Sequence, residues 1–393
     1  MASPRICFVA PNLYPVLARR RDIEVVGGAE VQQAFIARQL AERGFEVVVV
    51  ATDFGQAEGE VVDGIRALRT FKVADGLPGL RALHPRMTRV WRALARADAD
   101  IYYVRCAAMT TGLVAAFCRT HGRKSVFAGA SDLDFVPGHE LIHAPWYRAM
   151  HRWGLQRADA VVAHNPDQVR LCRLHHDREA VLIPSMFAPA AHAAGLAGGT
   201  EVLWCGVLRE AKRVEAFVEL ARRLPGLVFR IVGGPDATAY SKATATRLEA
   251  LTAELPNLRY SGFEPYEAAD QRFLQARVFV NTSLHEGFPN TFLQAWSRGV
   301  PTLSIVDVGA RVDGEPVGQV CADTDAMEQQ LRLWSQHPPA WQAASDRALR
   351  HFNQRHSADV AMAAYLRLFG DLASAAAARP DSKASQASTN APR

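Results

Sequence analysis

Long hydrophobic runs are missing from this sequence of 393 residues, although 49% of its residues are hydrophobic. Apolar runs such as 47–51 and 113–118 are much shorter than the ~20 residues that a membrane-spanning helix requires. The N-terminus leads directly into a buried-strand pattern and lacks the layout of a signal peptide. We therefore expect a cytoplasmic protein without transmembrane segments.

Signatures of several binding classes are also missing. The six cysteines are scattered and form no CxxC pair, which argues against a zinc site or a disulfide framework. No GxGxxG dinucleotide motif is present, and we expect neither a bound metal nor a cofactor. The net charge of +5 favours anionic partners such as phosphates or a lipid surface, but it is too mild to indicate nucleic acid.

The order of strand and helix patterns indicates an α/β protein with two Rossmann-like domains facing each other across a cleft. Residues 5–11 and 45–52 read as buried strands that flank a glycine loop and a helix, which is a βαβ unit of a parallel sheet. A second βα series starts at residue 201. We predict an acceptor-side domain over 1–189, a linker over 190–199 and a nucleotide-sugar-binding domain over 200–352. A helix over 353–373 is expected to pack back on the first domain, before a disordered tail over 374–393.

The stretch 281–301, NTSLHEGFPNTFLQAWSRGVP, has the clearest functional pattern. A predicted strand ends at Asn281 and delivers the carboxylate of Glu286 to a glycine-containing turn. Asn290 or Thr291 can cap the helix that follows, and Gln294 lies about one turn into it. The helix start and its N–H groups suit an anion. The alternative is an ordinary βα connection.

Two further glycine turns follow predicted strands of the same domain. In GVLREAKR (206–213), Gly206 ends a strand, and Arg209 and Lys212 lie three residues apart at a predicted helix start. A solvated basic helix start is the alternative here. VGGPD (232–236) supplies Gly233 and Gly234. Three such turns in one domain, two of them charged, indicate a nucleoside diphosphate more strongly than any single motif does.

These residues resemble the motifs of the family 4 retaining glycosyltransferases, which have the GT-B fold. The family carries two glutamates separated by seven residues after a strand, and the first of them matches Glu286. A glycine–basic–lysine loop upstream matches Arg209 and Lys212, and VVGGAE (25–30) is similar to the acceptor-side loop of the family. The resemblance extends over roughly residues 5–370 and is most specific in 200–310.

The resemblance implies that a sugar is transferred from a nucleotide-sugar donor to a saccharide or lipid-linked acceptor, with retention and without a metal ion. Glu286, Arg209, Lys212 and Asp132 would be the catalytic residues. The implied donor contacts are Gly206, Gly233, Gly234, His285, Gly287, Phe288, Asn290, Thr291 and Gln294. The implied acceptor-side residues are Gly27, Gly28, Glu30, Asp134 and His164. The implied setting is polysaccharide biosynthesis.

Two positions depart from the family pattern. Gln294 replaces the second glutamate, so hydrogen bonding is retained while the charge is lost. In GASDLDF (129–135), Ser131 occupies the place of a histidine that many members have, and Asp132 and Asp134 are expected to supply the polar contacts. The alternative is a βα loop with an aspartate helix cap. His164 can equally be a structural core histidine.

Residues 79–97 read as a basic amphipathic helix, with Leu83, Val90 and Leu94 on an apolar face and arginines elsewhere. Such a helix can lie on an anionic membrane and bring a lipid-linked acceptor to the cleft. The alternative is a core-packed helix with a solvated arginine face.

Two other functions are compatible with the sequence. One is a non-catalytic relative that binds a nucleotide sugar, which the replacements at Gln294 and Ser131 favour. The other is a GT-B nucleotide-sugar epimerase, which needs further acid and base residues in the cleft.

Overall fold

The computed structural model describes residues 3–20, 27–77, 81–142, 144–189, 198–284, 286 and 288–377. The first domain contains β1 Ile6–Val9, α1 Leu13–Leu17, α2 Gly28–Glu42, β2 Val47–Ala51, β3 Glu60–Val62, β4 Ile65–Arg69, α3 Thr88–Ala97, β5 Ile101–Arg105, α4 Met109–His121, β6 Lys124–Ala128, α5 Pro145–Arg157, β7 Ala160–Ala163, α6 Pro166–His176 and β8 Val181–Leu182. A 3-10 turn, Asp132–Phe135, follows β6.

The second domain contains β9 Glu201–Cys205, α7 Val214–Arg223, β10 Val228–Val232, α8 Ala239–Glu254, β11 Leu258–Tyr260, α9 Tyr266–Arg272, β12 Ala276–Asn281, α10 Asn290–Trp296, β13 Thr302–Ser304, β14 Arg311–Val312, β15 Glu315–Pro316, β16 Gln319–Val320, α11 Thr324–Gln336 and α12 Pro338–Arg355. A 3-10 turn, Glu210–Lys212, lies between β9 and α7. The last helix is α13, Ala358–Ala377. No helix among the described residues is long and apolar enough to cross a membrane.

Each domain is built on a mainly parallel sheet that is covered on both faces. The strand orders are β3-β4-β2-β1-β5-β6-β7-β8 and β11-β10-β9-β12-β13-β16, with only β3 antiparallel to its neighbour. Residues of β1 alternate between two cores: Ile6 and Phe8 pack on one face, and Cys7 and Val9 on the other. Coverage of both faces explains why these strands are continuously apolar.

The strand order reverses beside the central strand of each sheet. In the first sheet, β1 lies between β2 and β5, and in the second sheet β9 lies between β10 and β12. Loops that leave neighbouring strands in opposite directions at such a point open a crevice at the carboxyl ends. The turns after β5, β9 and β12 are therefore placed to line a binding cleft.

The C-terminal helix α13 returns to the first domain. Met362, Tyr365 and Phe369 share a core with β1 and β2, and the Tyr365 ring packs against Tyr103 of β5. Its bounds differ from the predicted 353–373, because α12 continues to Arg355 and α13 continues to Ala377. The alanine-rich end of α13 favours helix, so the helix takes in the first residues of the predicted tail.

The predicted helix over 79–97 is wrong in extent, and its apolar face packs in the core of the first domain. The regular helix is α3, and the turn before it is interrupted by non-helical backbone at His84. Val90 and Leu94 are buried against β2, and Trp91 packs edge-on against Phe117. The core-packed alternative therefore holds for α3. Residues 79 and 80 lie outside the described residues.

Candidate functional site

A cleft of about 600 Å³ lies between the two domains, within the size range of small-molecule sites. It is formed by the carboxyl ends of β9 and β12, the start of α2 and the turn that follows β12. Ten of the predicted site residues line it: Gly27, Gly28, Gly206, Arg209, Lys212, Glu286, Phe288, Asn290, Thr291 and Gln294.

Lys212 and Glu286 form an ion pair within this cleft. The Glu286 side chain is only 12% exposed and also accepts a hydrogen bond from Nδ2 of Asn281 at 3.3 Å. The two loops are tied together at the backbone, since Oγ1 of Thr282 donates to the Lys212 carbonyl at 2.6 Å. Neighbouring strands thus present one cation and one carboxylate side by side.

Arg209 adds a second cation at the edge of the same cleft. Its Nε donates to Oδ2 of Asp236 at 3.0 Å, and its side chain is 57% exposed. Hydrogen bonds from Thr238, followed by Arg209, lower the pKa of Asp236 to about 2. The pair is therefore fully charged at neutral pH. Arg209 precedes the 3-10 turn, and Arg213 with φ +49° separates that turn from α7, so the predicted helix start at Arg209 and Lys212 is wrong and the helix begins at Val214.

Gly233 and Gly234 shape the site without lining it. Gly233 has φ +154°, and a Cβ there would lie 1.7 Å from the carbonyl oxygen of Gly206. A Cβ at Gly234 would lie 2.7 Å from that of Phe263. We therefore replace the predicted donor contact of these two glycines with a packing role, which lets the turn after β10 approach the Gly206 turn.

Asn290 joins the two domains across the cleft. Its Nδ2 donates to the carbonyl of Gly28 at 2.9 Å, and its Oδ1 accepts from Nε2 of Gln32 at 2.9 Å. The predicted cap by Asn290 or Thr291 is wrong, because Pro289 is the N-cap residue of α10 and no side chain caps it. The Asn290 amide instead fixes the start of α2 against the start of α10.

Gln294 takes part in a buried polar cluster behind the cleft wall. Its Nε2 donates to Oδ1 of Asp270 at 2.8 Å, while Nη2 of Arg298 donates to Oδ2 of the same carboxylate at 2.6 Å. The Arg298 side chain is fully buried. The Gln294 amide nitrogen is therefore committed to Asp270, and only the remainder of this side chain faces the cleft.

The predicted residues of the first domain are distributed differently. Asp134 is buried and accepts from the N–H groups of Ala130 and Ser131, completing a capping box with Ser131. Asp132 accepts from Nδ2 of Asn165 at 3.0 Å. Neither aspartate is among the described residues that line the cleft, so the helix-cap alternative holds for this loop.

His164 is a core residue and does not line the cleft. It is 4% exposed, and its Nδ1 lies 2.7 Å from the carbonyl oxygen of Ile183. Burial, followed by the Arg105 cation, keeps its pKa well below the usual range. Its predicted acceptor-side role is therefore corrected to a structural one. Glu30 lines an adjoining cavity in the first domain.

His285 and Gly287 lie outside the described residues. Phe288 lines the cleft and packs its ring against His356 at 5.0 Å. Among the described residues, no group of three His, Cys, Asp or Glu side chains is suited to hold a metal ion.

Sequence reasoning did not single out Asp236, Asp270 and Arg105, which the structure places at or beside the cleft. Arg105 is the last residue of β5 and Asp236 lies in the glycine turn after β10, and these positions at the carboxyl ends of strands are a signal that would have found them. Asp270 lies within α9 and becomes relevant only through its contact with Gln294.

Comparison with known families matches one sequence model to each domain. The sequence model described as a glycosyl transferase 4-like domain matches residues 27–185, and the one described as glycosyl transferases group 1 matches residues 199–336. A 2-deoxystreptamine N-acetyl-D-glucosaminyltransferase of Streptomyces fradiae is 27% identical over 347 residues, covering 78% of this chain and 80% of that protein.

Solved structures resemble the whole fold. Sucrose-phosphate synthase from Thermosynechococcus elongatus has a TM-score of 0.72 at 17% identity, covering 95% of this chain and 100% of that one. HepE from Anabaena in complex with UDP and glucose has a TM-score of 0.66 at 14% identity, over 94% and 100%. The catalytic domain of starch synthase IV from Arabidopsis thaliana, bound to ADP and acarbose, has a TM-score of 0.68 at 11% identity, over 96% and 100%. These similarities confirm the predicted GT-B architecture.

Proposed function

The chain belongs to the group 1 glycosyltransferases, and from this premise we propose that it transfers a sugar from a nucleotide-sugar donor to a saccharide or lipid-linked acceptor. The proposed transfer retains the anomeric configuration and needs no metal ion. We propose polysaccharide biosynthesis on the cytoplasmic side of the membrane as its setting.

The observation that carries this proposal is the Lys212–Glu286 pair in the interdomain cleft, with Arg209 at the edge. A carboxylate accepts hydrogen bonds from sugar hydroxyls, and two cations suit a diphosphate. We assign the donor sugar to Glu286 and the diphosphate to Lys212 and Arg209. In this arrangement the donor diphosphate competes with Glu286 for the Lys212 ammonium.

The reaction breaks the bond between the anomeric carbon and the diphosphate oxygen, and the electron pair leaves with the diphosphate. The acceptor hydroxyl oxygen bonds to the anomeric carbon on the same face, and its proton passes to the departing phosphate oxygen. Negative charge grows on the leaving group, so cations fixed around it stabilise the transition state more than the ground state. Lys212 and Arg209 supply this stabilisation.

The first domain contributes the start of α2, a helix of 15 residues. Its N-cap residue, Gly27, has no side-chain cap, and Gly27 and Gly28 line the cleft. The carboxylate of Glu30 folds back over this first turn, so we do not assign the donor diphosphate to it. Solved proteins of the same fold hold UDP in HepE and ADP in starch synthase IV, which supports a nucleoside diphosphate as the ligand.

The proposal is tested by thermal denaturation with UDP, GDP, ADP and their common sugar conjugates, with and without EDTA. A ligand at 100 times its Kd adds about 2.7 kcal/mol of stability, which is easily measured. We expect a shift with one nucleotide class that persists in EDTA and disappears in Lys212→Ala. Lys242→Ala is the matched control, since it removes the same charge from an exposed position of α8.

Product analysis then separates catalysis from binding. Incubation of the bound nucleotide sugar with candidate acceptors should give a product whose NMR anomeric coupling matches that of the donor. Binding without transfer or donor hydrolysis would favour the non-catalytic alternative. No shift with any nucleotide, or an equal loss in both lysine variants, would refute the assignment of the cleft.

A further inference from the structure

Arg105 is a buried cation without a complete set of partners. It ends β5, it is 8% exposed, and its Nε and Nη1 have no hydrogen-bond partner in the described part of the chain. A buried charge without partners is strongly unfavourable, so such a group indicates a ligand that pairs with it. Cys106 directly after it has φ +74°, the kind of backbone strain that concentrates at functional sites.

The guanidinium lies between two cavities. Arg105 lines the interdomain cleft and also a cavity of about 490 Å³ within the first domain. The walls of this second cavity are mainly apolar, with Val9, Val50, Phe71 and Leu113 among them. Leu141 lines both cavities and is 80% exposed, which places an apolar side chain at the opening.

The other polar groups of this second cavity are mixed: several favour an anion, whereas Oε1 of Gln33, a buried acceptor without a partner in the described part of the chain, calls for a donor. The 13-residue helix α4 starts there at Met109, and its N-cap residue, Ala108, has no side-chain cap. The Nε of Arg86 also has no hydrogen-bond partner within the described ranges. Glu30 is the acidic residue in the lining, and its Oε2 would lie 2.0 Å from a Cβ at Gly27, so its carboxylate folds back over the first turn of its own helix.

We propose that this second cavity binds the acceptor, and that the acceptor carries an anionic group, a phosphate or a carboxylate, beside an apolar portion. Arg105 pairs with the anionic group, and the apolar portion occupies the walls near Phe71 and Leu113. This inference rests on the proposed function, because the cleft that adjoins the cavity must hold the donor. The position of Arg105 between the two cavities places the anionic group beside the donor sugar.

The chemistry is tested by calorimetric titration of the full chain with five probes below their critical micelle concentrations. The probes are octyl phosphate, octanoate, octyl glucoside, octylamine and inorganic phosphate. We expect one or both of the anionic octyl compounds to bind, with octyl glucoside, octylamine and inorganic phosphate at least about tenfold weaker, as expected for charge-assisted hydrogen bonds combined with apolar burial. The relative affinities for octyl phosphate and octanoate show whether the site prefers a phosphate or a carboxylate. Equal binding of all octyl compounds would overturn the proposal.

Arg105→Met provides the matched variant, and Arg92→Met, at an exposed position of α3, is its control. Arg105→Met should weaken binding of the anionic octyl probe about tenfold or more, while Arg105→Lys should retain part of the affinity. The variant should also melt at a higher temperature without ligand, because it removes a buried charge of which two nitrogens lack partners among the described residues. A lower melting temperature or failure to fold would show that Arg105 is paired within the protein and would overturn the proposal.

Nucleotide titration keeps the two proposals separate. Arg105→Met should leave the affinity for the nucleoside diphosphate within about twofold, whereas Lys212→Ala abolishes it. If Arg105→Met weakens binding of the nucleotide as much as binding of the octyl anion, the guanidinium belongs to the donor site and the inference fails. If no nucleotide binds while octyl phosphate binds through Arg105, the donor assignment fails and the anion-binding cavity stands.

Discussion

Gln294→Glu introduces the glutamate of the family pattern, and we expect it to destabilise this protein. Gln294 is 4% exposed, and its amide nitrogen lies 2.8 Å from Oδ1 of Asp270. A glutamate would place a carboxylate oxygen where that nitrogen stands, so that two acceptors and two negative charges face each other. Arg298 already binds the other oxygen of Asp270.

The size of the effect follows from two competing costs. Two charges ~4 Å apart repel by about 4 kcal/mol at an effective dielectric constant of ~20. Alternatively the glutamate takes up a proton, which costs about 3.7 kcal/mol at pH 7 for a carboxyl with an ordinary pKa of ~4.3. The smaller of these two costs is the upper limit of the destabilisation, and the Arg298 cation reduces the destabilisation further. We expect a loss of about 2–4 kcal/mol in the free energy of unfolding.

The pH dependence identifies the cause. In the variant the folded state raises the pKa of the new carboxyl, so the folded protein binds more protons than the unfolded chain above pH ~4.3. The loss in free energy of unfolding relative to wild type should therefore be largest at high pH and should shrink as the pH falls towards 5. Urea denaturation of the variant and the wild type between pH 5 and 8 measures this loss.

Two variants serve as controls. Gln294→Met removes the donor without adding charge, so its deficit of about 1–3 kcal/mol should not change with pH. Asp270→Asn combined with Gln294→Glu restores an amide–carboxylate pair and should recover part of the loss. If Gln294→Glu is as stable as wild type at pH 8, or its deficit is independent of pH, Gln294 does not pair with the Asp270 carboxylate.

Three further predictions concern stability. Burial lowers the pKa of His356 to about 3. Below pH ~6.5 the unfolded chain binds a proton at this histidine that the folded protein does not bind, so the free energy of unfolding decreases as the pH falls. Urea denaturation should show this decline from pH 6.5 to 4. His356→Gln should make it less steep without removing it, because burial also lowers the pKa of His351 to about 4; an unchanged slope would contradict the assignment. Asn290→Ala removes the two hydrogen bonds of the Asn290 amide to Gly28 and Gln32 and should cost about 1–2 kcal/mol in the same assay. No loss would show that this bridge is absent in solution. Gly233→Ala, whose Cβ would lie 1.7 Å from the Gly206 oxygen, should cost more than about 3 kcal/mol, unlike Gly198→Ala in open space, and equal melting temperatures would refute this packing.

The two-domain α/β architecture and the main charged pair of the cleft could be predicted from the sequence. Continuous apolar runs such as β2 report burial on both faces, and the alternation with helices implies parallel strands. Lys212 and Glu286 each follow a strand closely, and the carboxyl ends of parallel strands meet at one edge of a sheet. Local patterns therefore predicted that both reach one cleft, although 74 residues separate them.

Other features of the site could not be read locally. Asn290 bonds Gln32 across 258 residues, and Gln294 bonds Asp270 across 24, so their roles depend on how the domains and α9 pack. The apolar face of α3 has the same sequence pattern whether it meets a membrane or a core, and only the position of β2 and α4 decided between them.

The sequence by itself determined which residues reach the carboxyl ends of the strands, because burial and strand period are local properties of the chain. Only the tertiary structure decided which of those residues find partners. Lys212 and Arg209 meet carboxylates, whereas Arg105 at the end of β5 lies beside two cavities with two of its nitrogens unpaired among the residues that the structure describes. Charge compensation depends on contacts over a few ångströms between distant segments, and no spacing in the sequence encodes that distance.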